Sequence, residues 1–100
     1  MLFCIVAIDH PGRLDRRRAN REAHLAHLAT LGANLRTAGP FTDENGTPSG
    51  SMLVIEAGRL EDAEAFAAAD PYARAGVFKS VTVRPWKLVV GSGLEAASLP

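Results

Sequence analysis

Leu2-Phe3-Cys4-Ile5-Val6-Ala7-Ile8 is apolar at every position and is ended by Asp9 and the turn formers His10-Pro11-Gly12. A short run of this kind predicts a strand over the first nine residues. Leu2, Cys4, Val6 and Ile8 point one way and Phe3, Ile5 and Ala7 the other, so both faces need cover. From Leu14 to Ala33 the pattern changes to a helix rich in Ala, Leu, Arg and Glu. Leu25, Leu28, Leu31 and Leu35 recur at helical spacing as its buried stripe. Leu35 to Phe41 predicts a second strand, with Gly39-Pro40 as a bulge, bend or edge position. Thr42 to Gly50 is turn chemistry, with Asn45-Gly46 the strongest hairpin signal. A third strand follows over Ser51 to Ala57, again apolar on both faces. Leu60 to Ala69 predicts a second helix whose stripe is Leu60, Ala63, Phe66 and Ala67. Asp70-Pro71 stops it, since proline disfavours helix at the preceding residue. Tyr72 to Gly76 is a linker or one more helical turn, and Val77 to Val90 a long last strand in which Pro85 marks a bend or an edge.

The order β-α-β-β-α-β favours an α+β, ferredoxin-like fold. Both helices then lie on one face of a four-stranded antiparallel sheet, within a single domain over residues 1–90. The tail 91–100 is Gly, Ser and Ala with little to bury and is expected to be flexible. The second sheet face is left bare and apolar. A monomer seldom leaves such a face in water, which points to a homodimer packed sheet to sheet about a two-fold axis.

Charge narrows the function classes. Eleven basic residues balance eleven acidic ones, so no overall field favours nucleic acid or an anionic membrane. No apolar run reaches the roughly 20 residues of a membrane span. The opening run lacks the basic start of a signal peptide, and Cys4 is the single cysteine. The expectation is a cytoplasmic protein without a disulfide. Arg16, Arg17, Arg18 and Arg21 crowd the start of the first helix, where the dipole disfavours cations. They read as a solvated basic face or as an anion-attracting rim.

Among candidate residues for chemistry, His24 lies at the edge of the leucine stripe, where a half-buried imidazole can act as general acid or base or serve packing alone. His24 and His27 are close enough in principle to share a metal, but a third ligand is hard to find, so no metal site is expected and His27 is read as facing solvent. Asp70, at a helix exit, is a cap or turn residue by default and an orienting carboxylate for His24 in the functional reading. Tyr72 is a core aromatic or a phenol offered to a ligand. No phosphate-cradling glycine loop or nucleophile elbow occurs, and Cys4 reads as a small hydrophobe in a core strand.

Five motifs occur together: Arg21-Glu22-Ala23-His24-Leu25-Ala26-His27-Leu28, Leu35-Arg36-Thr37-Ala38-Gly39-Pro40, Gly50-Ser51, Asp70-Pro71-Tyr72-Ala73-Arg74-Ala75-Gly76-Val77-Phe78 and Val83-Arg84-Pro85-Trp86. In this order, and over residues 1–90, the chain resembles the YCII-related protein family. The resemblance implies a ferredoxin-like subunit in a dimeric α/β-barrel and a histidine–aspartate active-site pair, here at His24 and Asp70. Arg21 in the same motif would steady an anionic group, with Tyr72 and Ser51 as further substrate contacts. One group resembling this fold eliminates chloride from a chlorinated hydroxyhydroquinone, and other relatives act as small accessory modules. The chain departs from the family pattern at Arg36 and in the Asp43–Pro48 turn, which leaves the substrate open. Two readings result. One is a cofactor-independent enzyme doing lyase-, dehydrochlorinase- or isomerase-like acid/base chemistry on a small aromatic or anionic molecule. The other is a non-catalytic binding or oligomerisation module.

Overall fold

The computed structural model describes residues 1–94; the last six residues of the expected tail lie outside them. The elements are β1 (Leu2–Asp9), α1 (Leu14–Ala29), a 3-10 turn (Gly32–Asn34), β2 (Leu35–Thr42), β3 (Pro48–Glu56), α2 (Leu60–Ala68), α3 (Pro71–Arg74) and β4 (Phe78–Trp86). The four strands form one sheet in the order β2-β3-β1-β4. Every neighbouring pair is antiparallel. This is the expected ferredoxin-like arrangement, with β1 and β3 central and covered by the helices.

The apolar alternation of β1 sorts as expected. Phe3, Ile5 and Ala7 are buried, and Phe3 and Ile5, with Leu53 and Ile55 of β3, form the floor on which Leu28 of α1 and Ala63 and Ala67 of α2 pack. On the other face Cys4 stands opposite Val54 and Val6 opposite Met52. Cys4 and Val6 are half-buried, while Ile8 and Met52 are 44% and 36% exposed. Cys4 thus belongs to the uncovered face rather than to the core.

Several boundaries differ from the sequence reading, each for a local reason. Helix α1 stops at Ala29, short of Ala33, because Gly32 takes φ +56° and turns the chain out of the right-handed helix. Leu35 therefore belongs to β2, not to the helical stripe, and Leu25 leaves that stripe at 44% exposure. Strand β4 ends at Trp86 rather than Val90, because its partner β1 begins at Leu2, which already faces Trp86. Beyond it Val89 and Val90 have no strand to pair with and are exposed. In β2 the register shifts fall at Leu35/Thr37 and Phe41/Thr42. Gly39-Pro40 itself stays in register on this edge strand, where proline's missing N–H costs no ladder bond. The segment after Asp70 is one helical turn, with Pro71 in its first position.

Candidate active site

Asp70 ends α2 and begins α3, and that position gives its carboxylate two tasks. Oδ1 accepts the backbone N–H of Tyr72 at 2.9 Å, an N-cap made by the residue type that caps best. The same carboxylate contacts His24 Nδ1 at 2.8 Å through Oδ1 and 3.0 Å through Oδ2. Cap and partner of histidine were alternatives in the sequence; the structure has both at once. Because α3 turns immediately after the cap, Tyr72 comes back onto His24, and the two rings stack with centroids 3.9 Å apart. His24, Asp70 and Tyr72 are all buried.

A second charged network lies beside the first. Arg17 Nε contacts Asp9 Oδ2 at 2.5 Å, Nη2 contacts Oδ1 at 3.1 Å, and Nη2 also donates to Ser51 Oγ at 2.8 Å. Its guanidinium carbon stands 4.8 Å from the centre of the Tyr72 ring, so Tyr72 touches both networks. Burial pushes the Tyr72 phenol up from its ordinary value of 10.0; Arg17 and Arg21 oppose this and Asp70 adds to it. The hydroxyl thus stays a neutral donor well into alkaline solution.

Both networks open on one cavity of about 760 Å³ between α1 and the β2–β3 hairpin. Arg17, Arg21, His24, Ser51 and Tyr72 line it together with Arg18, and leucines from α1, β2 and β3 form its apolar part. No carboxylate is among the lining residues; Asp9 and Asp70 stand behind Arg17 and His24. The Asp43–Pro48 turn reaches the wall through Gly46, Thr47 and Pro48. Arg36 is absent from the lining and lies 3.7 Å from Glu56, whose carboxyl the Met1 amine holds below its ordinary range.

Four of the five expected site residues, Arg21, His24, Ser51 and Tyr72, line this cavity, and Asp70 stands behind His24, whereas His27 does not face solvent. Its Nε2 contacts the backbone oxygen of Phe66 at 2.9 Å and its ring stacks on Phe66. With His24 turned to Asp70 and His27 to Phe66, the two imidazoles go to separate partners. The arginines, read chiefly as one solvated face, divide. Arg17 is 6% exposed, Arg18 reaches solvent, and Arg16 donates to the Ala75 carbonyl. Asp9 and Arg17 were missed as a pair. The usable signal was that Arg17, Arg21, His24 and Leu28 follow one another at helical intervals on one face of α1.

Comparisons against known proteins bear on the family and the fold. The family model of the YCII-related domain matches residues 1–87. The chain belongs to the YCII-related family. The YciI protein of Escherichia coli is 42% identical, the match covering 89% of this chain and 99% of that protein. An uncharacterised protein of Haemophilus influenzae matches equally well, at 42% identity over the same shares. Among solved structures, the 5-chloro-2-hydroxyhydroquinone dehydrochlorinase of Burkholderia phenoliruptrix, in complex with 2,5-dihydroxybenzoquinone, superimposes with a TM-score of 0.80 at 36% identity, covering 87% of this chain and 94% of that one. A structure described as a putative antibiotic biosynthesis monooxygenase from Bacteroides thetaiotaomicron shares the fold, with a TM-score of 0.56 at 16% identity. This YCII-related chain thus has relatives whose names include an enzyme, and the family allows an enzyme-like role.

Proposed function

We propose that this YCII-related protein is a small cytosolic enzyme doing cofactor-independent acid/base chemistry on a small aromatic or anionic molecule held in the α1/β2–β3 cavity. The observation that carries the reading is the buried His24–Asp70 contact at 2.8 Å on the cavity wall. A carboxylate accepts hydrogen bonds and does not donate them, so Nδ1 carries the proton of the neutral imidazole. Nε2 then keeps its lone pair, and no described hydrogen bond takes it. His24 is the base, Asp70 fixes its tautomer and steadies the imidazolium that forms, and Arg21, Tyr72 and Ser51 contact the substrate. Nε2 takes a proton from the substrate; either a leaving group departs with its bonding electrons, or the proton returns at another carbon. Elimination of chloride is the first reaction to try, on the strength of the similar dehydrochlorinase.

The test is chloride release from 5-chloro-2-hydroxyhydroquinone, with proton exchange from phenolic and enolic acids as the wider screen. Turnover that falls at least about a hundredfold in His24→Asn is the expected result. Turnover unchanged in that variant overturns the reading. The second reading, a binding module, is favoured by one observation: Asp70 caps α3 through Tyr72 N–H whether or not His24 reacts. Binding of 2,5-dihydroxybenzoquinone with no turnover across the screen would select it.

The apolar strip of Ile8 and Met52 on the uncovered face supports a homodimer packed sheet to sheet. Sedimentation at micromolar concentration is expected to give a dimer, and a clean monomer contradicts it.

A further inference from the structure

Burying a guanidinium–carboxylate pair costs several kcal/mol in desolvation, and well-packed apolar residues usually do as well for stability. The Asp9–Arg17 pair lies in this expensive position, its side chains 8% and 7% exposed, yet Arg17 forms part of the cavity wall. Nε and Nη2 are committed to Asp9 and Ser51, which fix the plane of the guanidinium. Nη1 is committed to neither, and the guanidinium also hydrogen-bonds the Tyr72 hydroxyl, which places the two donors side by side. Three arginines and no carboxylate line the cavity, although the chain as a whole has a formal net charge of zero. Arg18 stands far out in solvent and draws anions in at most; Arg17 is the arginine placed deep, in contact with the ring that stacks on His24.

We infer that Arg17 holds an anionic oxygen of a planar ligand beside His24, and that Asp9 and Ser51 are positioning residues that aim it. The inference rests on the cavity being the ligand site and adds the charge of the ligand's polar end. A guanidinium held in advance by two partners binds an oxyanion without first losing its own freedom. The neutral Tyr72 hydroxyl is a second donor to the same oxygen. The leucines around the rest of the cavity suit an apolar ring body.

The test compares 4-nitrophenolate with 4-nitroanisole, its neutral methyl ether, by calorimetric titration at a pH where the phenol is ionised. The wild type is expected to prefer the phenolate by about tenfold or more, the equivalent of one charge-assisted hydrogen bond. Removing Arg17 alone strands a buried Asp9, so the variant used is the double substitution Asp9→Asn with Arg17→Met, checked for folding by circular dichroism. Its preference is expected to fall several-fold, to what Arg21 in the same wall sustains. Ser51→Ala, which removes one aiming contact and leaves the charge, is expected to lower the preference while both ligands still bind. A folded double variant that keeps the full preference overturns the inference, as does a wild type without one. His24→Asn is expected to keep the preference and lose turnover. Preference without turnover retires the acid/base reading alone; turnover without preference retires this inference alone.

Discussion

Helix α1 is fastened to the chain after β3 at two joints built almost alike. At one, His24 stacks on Tyr72 with centroids 3.9 Å apart and planes 12° from parallel. At the other, His27 stacks on Phe66 at 4.1 Å and 15°. Each imidazole commits one nitrogen to an oxygen. For His24 that oxygen belongs to a buried carboxylate, for His27 to a backbone carbonyl. His24 lines the cavity and His27 does not. A stacked, hydrogen-bonded histidine is therefore not in itself a site. In the proposed reading the ionisable partner and access to a cavity make the difference, because only they let the free nitrogen take a proton and stabilise the charge that results.

The largest contrast is expected in catalysis. Asp70→Asn keeps a polar group of the same size but no longer fixes the Nδ1–H tautomer, so kcat is expected to fall by about 10²–10⁴, the range of positioned acid/base groups. His27→Asn, at the other joint, is expected to leave kcat near the wild type in the same steady-state assay. Stability separates the joints less. Asp70→Ala removes a helix cap and a buried hydrogen bond together, for an expected loss of about 2 kcal/mol in urea unfolding. His27→Ala loses one hydrogen bond and some stacking, for an expected loss of about 1 kcal/mol.

The smallest contrast is in alkaline titration. Tyr72 is the only tyrosine in the chain, so phenolate absorbance reads it alone. In the native protein it is expected to titrate above 10.0. In denaturant it returns towards that value. Its folded value is the higher one, so the native state holds the proton more tightly. Its stabilising contribution is complete below the unfolded value and is lost as pH rises through the folded one. Tyr72→Phe is expected to abolish that alkaline loss; the Phe66 joint, having no hydroxyl, has none to lose.

Local pattern carried much of this into the sequence. The apolar run of β1, the Asn45-Gly46 hairpin and the Asp70-Pro71 stop each state their own structure. The α1 spacing places His24 at the edge of the core, and the family motifs bring Asp70 to it. Asp9 with Arg17 was illegible as a pair, because whether an arginine near a helix start is solvated depends on which strand end packs beneath it. The same holds for His27. Its solvent-facing look ended when α2 brought Phe66 over it, an event set by sheet order rather than by the residues around position 27. The strand ends at Trp86 and not Val90 for a similar reason, since a strand lasts only as long as its neighbour.

The two joints make opposite demands on imidazole chemistry, and long-range nitrogen–proton NMR of the two side chains tests that directly. The Phe66 carbonyl can only accept, so His27 is expected as the Nε2–H tautomer; Asp70 also accepts, so His24 is expected as Nδ1–H, shifting to a mixture in Asp70→Asn. Opposite tautomers at His24 and His27 in one spectrum are the predicted result. A His24 protonated at Nε2 in the neutral ring would contradict the account, because the nitrogen left to the cavity would have no lone pair with which to act as a base.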